Sequence, residues 1–234
     1  MRLSATNRGR IRKAHDDYPT PLWATYRLLE ALSLKYHDSV DWLEPSAGRG
    51  HIIRAVNNFR HHNIASPSRR SNWIAVEKQL SYADALFETA KFAPPSIQYD
   101  IRVGDFLNLD LPHKSSRVVI GNPPYRLALE FIQRSFLIAD SVIFLLRLNF
   151  LGSRKRQSFW QTCMPQNIWV LPNRPSCGLN KQGKKGTDAC EYGWFMWESV
   201  GACGSSPTLY LNRQSNIQVL GLTDHQSDLI RYGE

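Results

Sequence analysis

The sequence predicts an α/β protein: a doubly wound, mostly parallel sheet of seven strands, helices on both faces, and an antiparallel hairpin at one edge. Three observations carry that reading. Short runs rich in Val, Ile, Leu and Trp alternate with amphipathic segments between residues 39 and 197, which is the signature of βα units. Pro or Gly ends several of these runs, as in "WLEP", "RVGD" and "VIGNPP", so strands stop sharply in turns. The last two runs, "NIWVLP" and "EYGWFMW", have no convincing helix between them, and two neighbouring strands without a crossover pair antiparallel.

The elements follow in order. An arm over residues 1–17 is polar and basic. In "YPTPLWATYRLLEALSL", Thr20 is placed to cap a helix, Pro21 suits its first position, and Leu22, Leu28, Leu29 and Leu32 form its apolar face. "SVDWLEP" is the first strand, "SAGRG" a turn, and "HIIRAVNNFR" a helix. "SNWIAVEKQ" and "IQYDIRVGDF" are the second and third strands, separated by the helix "SYADALFETAKF". "SRVVIGNPP" is the fourth strand, "RLALEFIQRSFLIA" a helix, and "DSVIFLLRL" the fifth strand, with a further helix over 153–162. One more strand, "TLYLN", is expected within the last 36 residues. The domain reading is a flexible arm to residue 17, one domain over 18–198, and an extension over 199–234.

The 234 residues suffice for one domain with a proper core. The longest apolar run, Val142 to Leu146, is too short to span a membrane, and the first residues have no apolar signal core. A cytoplasmic protein with no membrane association is expected, with a monomer slightly favoured. Cys163, Cys177, Cys190 and Cys203 never form a close pair, so scattered free thiols and no metal site are expected. The formal charge is +9, and its distribution is uneven. From Ser141 to Thr187 no Asp or Glu occurs, whereas Arg147, Arg154, Lys155, Arg156, Arg174, Lys181, Lys184 and Lys185 all do. Contact with a polyanion is the natural reason for such a stretch. Residues 148–190 are the expected nucleic-acid-contacting region, through Arg154, Lys155, Arg156, Arg174, Lys181, Lys184 and Lys185.

In a doubly wound sheet, ligands bind beyond the carboxyl ends of the strands, near the switch in strand order. The polar residues there are Glu44, Glu77, Asp105 and Asn122. "LEPSAGRG" lets a ligand approach the backbone before a helix N-terminus, but it lacks the Gly-Lys-Ser/Thr of a phosphate loop. Glu77 can accept both hydroxyls of a ribose. Asp105 can accept from an exocyclic amine, with Phe106 against the ring. "NPPY" joins an amide, two residues without N–H and an aromatic ring in one rigid turn.

Taken together, "YPTP" (18–21), "LEPSAGRG" (43–50), "VE" (76–77), "GDF" (104–106) and "NPPY" (122–125) resemble the S-adenosylmethionine-dependent amino-methyltransferases that modify adenine N6. "RPSC" (174–177) and "TDACEYGWFMW" (187–197) are similar to the closing elements of small phage- and plasmid-type adenine methylases. The resemblance covers about residues 16–198. It implies a Rossmann-like class I methyltransferase fold and S-adenosylmethionine as cofactor. Glu44, Pro45, Ser46, Ala47, Gly48 and Gly50 would hold its methionine part, with Tyr18, Pro19, Thr20 and Pro21 closing over it. Glu77 would take the ribose, Asp105 and Phe106 the adenine, and Asn122 borders the cofactor as well. The substrate would be an adenine flipped out of double-stranded DNA. Asn122 and the Pro123 carbonyl would accept from its amine, Pro124 would stiffen the turn, and Tyr125 would stack on the base. After "RPS" the relatives commonly place a Phe against that base, where this chain has Cys177; Trp160 and Trp194 are the candidate replacements. An RNA adenine methylase, a protein-glutamine methylase sharing "NPPY", and a non-catalytic nucleic-acid-binding protein remain alternatives.

Overall fold

In the computed structural model, residues 19–32, 41–63, 70–113, 116–175, 190–198 and 215–221 are described. The elements run α1 (Leu22–Ala31), β1 (Asp41–Glu44), α2 (His51–Asn63), β2 (Ser71–Glu77), α3 (Leu80–Lys91), β3 (Ile97–Val103), β4 (Ser116–Gly121), α4 (Ala128–Ile138), β5 (Ala139–Arg147), α5 (Gln157–Thr162), β6 (Asn167–Val170), β7 (Tyr192–Glu198) and β8 (Asn216–Val219). They form one sheet of order β3-β2-β1-β4-β5-β7-β6-β8. The first five strands pair in parallel, and β7 runs antiparallel to both β5 and β6. The α/β class, the mostly parallel sheet and the antiparallel hairpin are therefore as the sequence predicts.

The strand count is not. Eight strands are present among the described residues, because β8 adds in parallel to β6. All four β8 residues are exposed, so this edge strand has little of the apolar pattern that reveals a strand in sequence. The strand expected at "TLYLN" lies outside the described residues, as do the arm, Tyr18, Cys177, Lys181, Lys184 and Lys185. Residues 153–162 are also less regular than expected: a 3₁₀ turn at Arg154–Arg156 precedes the short α5.

Helices sit on both faces because the central strands are apolar on both. Trp42, Val118, Ile120, Ile143 and Leu145 face α1 and α2. Their neighbours Leu43, Val119, Val142, Phe144 and Leu146 face α4 and α5. This is strict period-two alternation hidden inside continuous apolar runs. Trp42 and Trp73 occupy directly opposed positions on β1 and β2, and their rings stack at 5.5 Å. No described helix is long and apolar enough to cross a membrane.

Two further expectations are corrected. Thr20 does not cap α1: Pro21 occupies the cap position, with no side-chain cap bond, and the helix begins at Leu22. The Thr20 hydroxyl serves a partner 102 positions away instead. Cys163 is disulfide-bonded, whereas Cys190 is free. Spacing along the chain does not report which thiols meet in space.

The β1–α2 turn explains both of its glycines. Gly48 (φ +54°) and Gly50 (φ +77°) adopt left-handed backbone. A Cβ at Gly48 would meet open space, but one at Gly50 would come within 2.8 Å of Leu86 Cδ2 on α3. Gly50→Ala should cost about 2–4 kcal/mol of unfolding free energy, combining left-handed strain with overpacking. Gly48→Ala should cost only about 1 kcal/mol. Denaturant unfolding followed by circular dichroism tests this order; equal costs would disprove the Leu86 contact.

Candidate active site

Strand order reverses between β1 and β4, and the turns that follow these strands diverge to opposite faces there. Glu44 closes β1, Glu77 closes β2, Asp105 follows β3 by two residues, and Asn122 follows β4 directly. All four line one cavity of about 590 Å³ at the carboxyl edge of the sheet, well within the range of small-molecule sites. Pro19, Thr20, Pro45, Ser46, Ala47, Gly48, Phe106, Pro123, Pro124 and Tyr125 line the same cavity. The structure thus gathers segments spread over more than a hundred positions. Gly50 is not among the lining residues and serves the turn from beneath, against Leu86.

The three acids are held in different ways. Glu44 is buried, and its Oε2 has no hydrogen-bond partner among the described residues. Burial pushes its carboxyl well above the ordinary 4.5, the charge of Glu77 adds to that, and a bond from the Ile53 backbone in the first turn of α2 opposes it. Glu77 accepts 2.7 Å bonds from the backbone N–H groups of Gly48 and Gln79, one on each oxygen. It therefore shapes the glycine turn, and each oxygen keeps a lone pair for a further donor. Asp105 is paired with Lys78 at 2.9 Å and accepts from the Leu107 N–H. The Lys78 bond draws its carboxyl below the ordinary range, with Leu107 helping and partial burial opposing.

Asn122 is the junction of the site. Its Nδ2 donates to Thr20 Oγ1 at 3.1 Å, and its backbone carbonyl accepts from Ser46 Oγ at 3.2 Å. Thr20 is buried, so the segment before α1, the turn after β1 and the end of β4 are tied at one residue. Pro45 packs against Gly121, where a Cβ would lie 3.2 Å from Pro45 Cδ. The strand ends can approach at the switch point because Gly121 has no side chain.

Several expected site residues have partners within the fold. Phe106 borders the cavity but is largely buried: its ring lies 5.1 Å from Phe131, beneath the Arg134 guanidinium. Trp194 is completely buried, and its indole N–H donates to the Ala24 carbonyl, so it cannot reach a base. Trp160 packs on Phe150 and Phe159. Arg156 donates to the Phe150 carbonyl and lies over that ring, and Arg174 pairs with Glu191. Arg154 and Lys155 are exposed. Sequence reasoning missed Lys78, although it directly follows Glu77, and Arg49 and Tyr82, which also line the cavity and stack with 4.6 Å between guanidinium and ring centre.

No protein-family profile matches the sequence, and no curated protein does. Solved structures do match. A protein named as an RNA methyltransferase from Pyrococcus horikoshii superposes with a TM-score of 0.59 at 16% identity, covering 83% of this chain and 95% of its own. One named as a class I S-adenosylmethionine-dependent methyltransferase from Listeria monocytogenes gives 0.62 at 14%, over 92% and 70%. The fold is that of the class I methyltransferases. A modification subunit of a type I restriction enzyme from Vibrio vulnificus gives 0.56 at 13%, over 84% of this chain and 46% of that one. In class I methyltransferase terms, the cavity lies at the switch point where an α/β sheet of this order opens.

The burial of Glu44 yields a stability prediction. Its folded pKa is raised, so from about pH 4.5 up to the folded value the native protein holds a proton that the unfolded chain has lost. Stability falls across that window and stays lower above it. Glu44→Gln removes this loss. Without ligand, the variant and wild type should melt alike near pH 4.5, and the variant should melt higher at pH 8. A variant melting lower at pH 8 would mean that the anion is stabilised in place.

Proposed function

We propose that this protein transfers a methyl group from S-adenosylmethionine to the N6 amine of an adenine in DNA, with the base flipped out of the duplex. The observation that carries the reading is the tethering of Asn122, at the head of "NPPY", to Thr20 and Ser46 beside the acid-lined cavity.

The cavity residues fit the cofactor. The partnerless Glu44 oxygen is an acceptor suited to an ammonium group, and the space above Gly48 admits a ligand against the backbone. Glu77 would take the ribose hydroxyls on its remaining lone pairs. Asp105 would take an amine donor once Lys78 yields it. Ser46 and Thr20 would border the methionine end. When bound, the cofactor supplies an electrophilic methyl group.

The chain's own residues then act on the substrate amine. An adenine N6 lone pair is delocalised into the ring, which makes it a weak nucleophile. Asn122 gives Nδ2 to Thr20; its Oδ1 would accept one N6 hydrogen, and the Pro123 carbonyl the second. Two acceptors favour a pyramidal nitrogen and stabilise the positive charge that develops there. Neither proline has an N–H to compete. Tyr125 provides a stacking face. Exposed Arg154 and Lys155, with Lys181, Lys184 and Lys185, would neutralise phosphates and offset the cost of unstacking.

Labelled cofactor offered in parallel to DNA, RNA and total protein tests this reading, with long-read sequencing of DNA from an expressing host to locate the mark. Label on adenine N6 in DNA is expected; label on RNA alone would move the assignment to an RNA adenine methylase. Asn122→Ala should lower kcat by about 100-fold or more while keeping cofactor affinity within a few-fold. Thr20→Val, which removes the amide's anchor at nearly constant volume, should lower kcat about tenfold, and Thr20→Ser should restore it. Full activity in Asn122→Ala would refute the mechanism.

A further inference from the structure

The clamp around "NPPY" has one wall unaccounted for. Cys177, the position where relatives of this type carry an aromatic, lies outside the described residues. Trp194 is sealed in the core, and Trp160 is packed among phenylalanines. The group that does lie on the Tyr125 ring is the guanidinium of Arg147, 4.6 Å from the ring centre. Arg147 is the last residue of β5, the strand beside β4, so it reaches the clamp from the sheet. Its Nε donates to the Tyr192 hydroxyl at 3.1 Å, and the Tyr192 ring lies 5.7 Å from Tyr125. Tyr192 is completely buried, so its hydroxyl holds the guanidinium in this position until a substrate displaces it.

We propose that Arg147 is the second stacking surface of the substrate pocket. Without substrate it covers the Tyr125 face. When the base enters, the guanidinium lifts by one ring thickness and closes on the outer side, so that the base lies between Tyr125 and Arg147. This rests on the adenine reading above. Stacked ring centres need about 4.5 Å or more between each layer, so a guanidinium at 4.6 Å leaves no room for a base on the same face and must yield it. A planar, weakly hydrated guanidinium stacks on a nucleobase as an aromatic ring does, which an ammonium cannot do. A cation here offers nothing to the developing positive charge at N6. Arg147 therefore contributes to base capture and leaves the methyl-transfer step to Asn122 and Pro123.

The test uses full-length protein and a duplex carrying the motif identified by sequencing, with 2-aminopurine at the target adenine for fluorescence. Arg147→Ala should raise KM for DNA about tenfold, leave kcat within about threefold, and lower the 2-aminopurine emission several-fold at sub-saturating enzyme because fewer flipped bases are captured. Arg147→Lys should match the alanine variant in KM and brightness while keeping the wild-type salt dependence. Thermal melting and cofactor affinity report folding; if the alanine variant does not fold, the lysine variant carries the test. A lysine variant with wild-type KM and emission would make Arg147 a phosphate contact and overturn the proposal. An alanine variant that melts lower with KM and emission unchanged would make it structural, with the same result. Wild-type protein that neither methylates adenine nor brightens 2-aminopurine refutes the adenine reading itself, and this proposal with it.

Discussion

The site depends on the two hydrogen bonds that hold Asn122. Thr20, Ser46 and Asn122 belong to three segments far apart in sequence, and the cavity exists because these segments meet at the switch between β1 and β4. Parallel strands leave their carboxyl ends open, and at a switch point the following turns diverge to opposite faces. Something must define the gap between them. Here Pro45 against Gly121 sets its width, and the Thr20 and Ser46 hydroxyls fix the amide and the carbonyl at its floor. An asparagine on a free turn would sample several rotamers. One tied at both ends presents a defined acceptor without reorganisation, which is the condition for electrostatic stabilisation of a developing charge.

The acidic row around this junction is graded. Asp105 is neutralised by Lys78, Glu77 is satisfied by two backbone N–H groups, and Glu44 is buried with one oxygen unpartnered. Desolvation without compensation destabilises the ligand-free fold, so Glu44 is costly in a protein that only needs to fold. The same lack of a partner leaves an acceptor for a donor that enters the cavity. Glu77 couples to it through charge and to Gly48 through a hydrogen bond, so the backbone shape of the turn and the electrostatics of the pocket are set together.

Much of this was legible in the sequence, for definite reasons. Strand ends could be read because apolar runs stop at Pro, Gly or a charge, and Glu44, Glu77, Asp105 and Asn122 all lie at such stops. Other features were hidden by the locality of sequence rules. Thr20 looked like a helix cap because capping logic sees only the next few residues, while its true partner is Asn122. Trp194 looked available to a ligand because residue type does not reveal which side of a chain faces the core. β8 escaped notice because an exposed edge strand buries too little to show a pattern. Arg147 was indistinguishable from the other cations of the acid-free stretch until β5 placed it over Tyr125.

That last case changes how the basic segment should be understood. Five of its eight cations fall within described residues, and three of these five, Arg147, Arg156 and Arg174, are engaged with rings, carbonyls or a carboxylate of the protein itself. The planar, multi-donor guanidinium suits such internal fastening, whereas a lysine acts as a point charge on a flexible stem. Net charge therefore overstates the number of phosphates the segment can neutralise, because charge counts do not distinguish a cation that fastens the fold from one that faces solvent. Among the described residues of the stretch, the exposed pair Arg154 and Lys155 meets that condition. Under the proposed function, an interface built this way would have a smaller counterion-release contribution than eight cations imply. It would draw a larger share of its grip on the nucleic acid from stacking at the clamp, where Tyr125, Tyr192 and Arg147 are in contact.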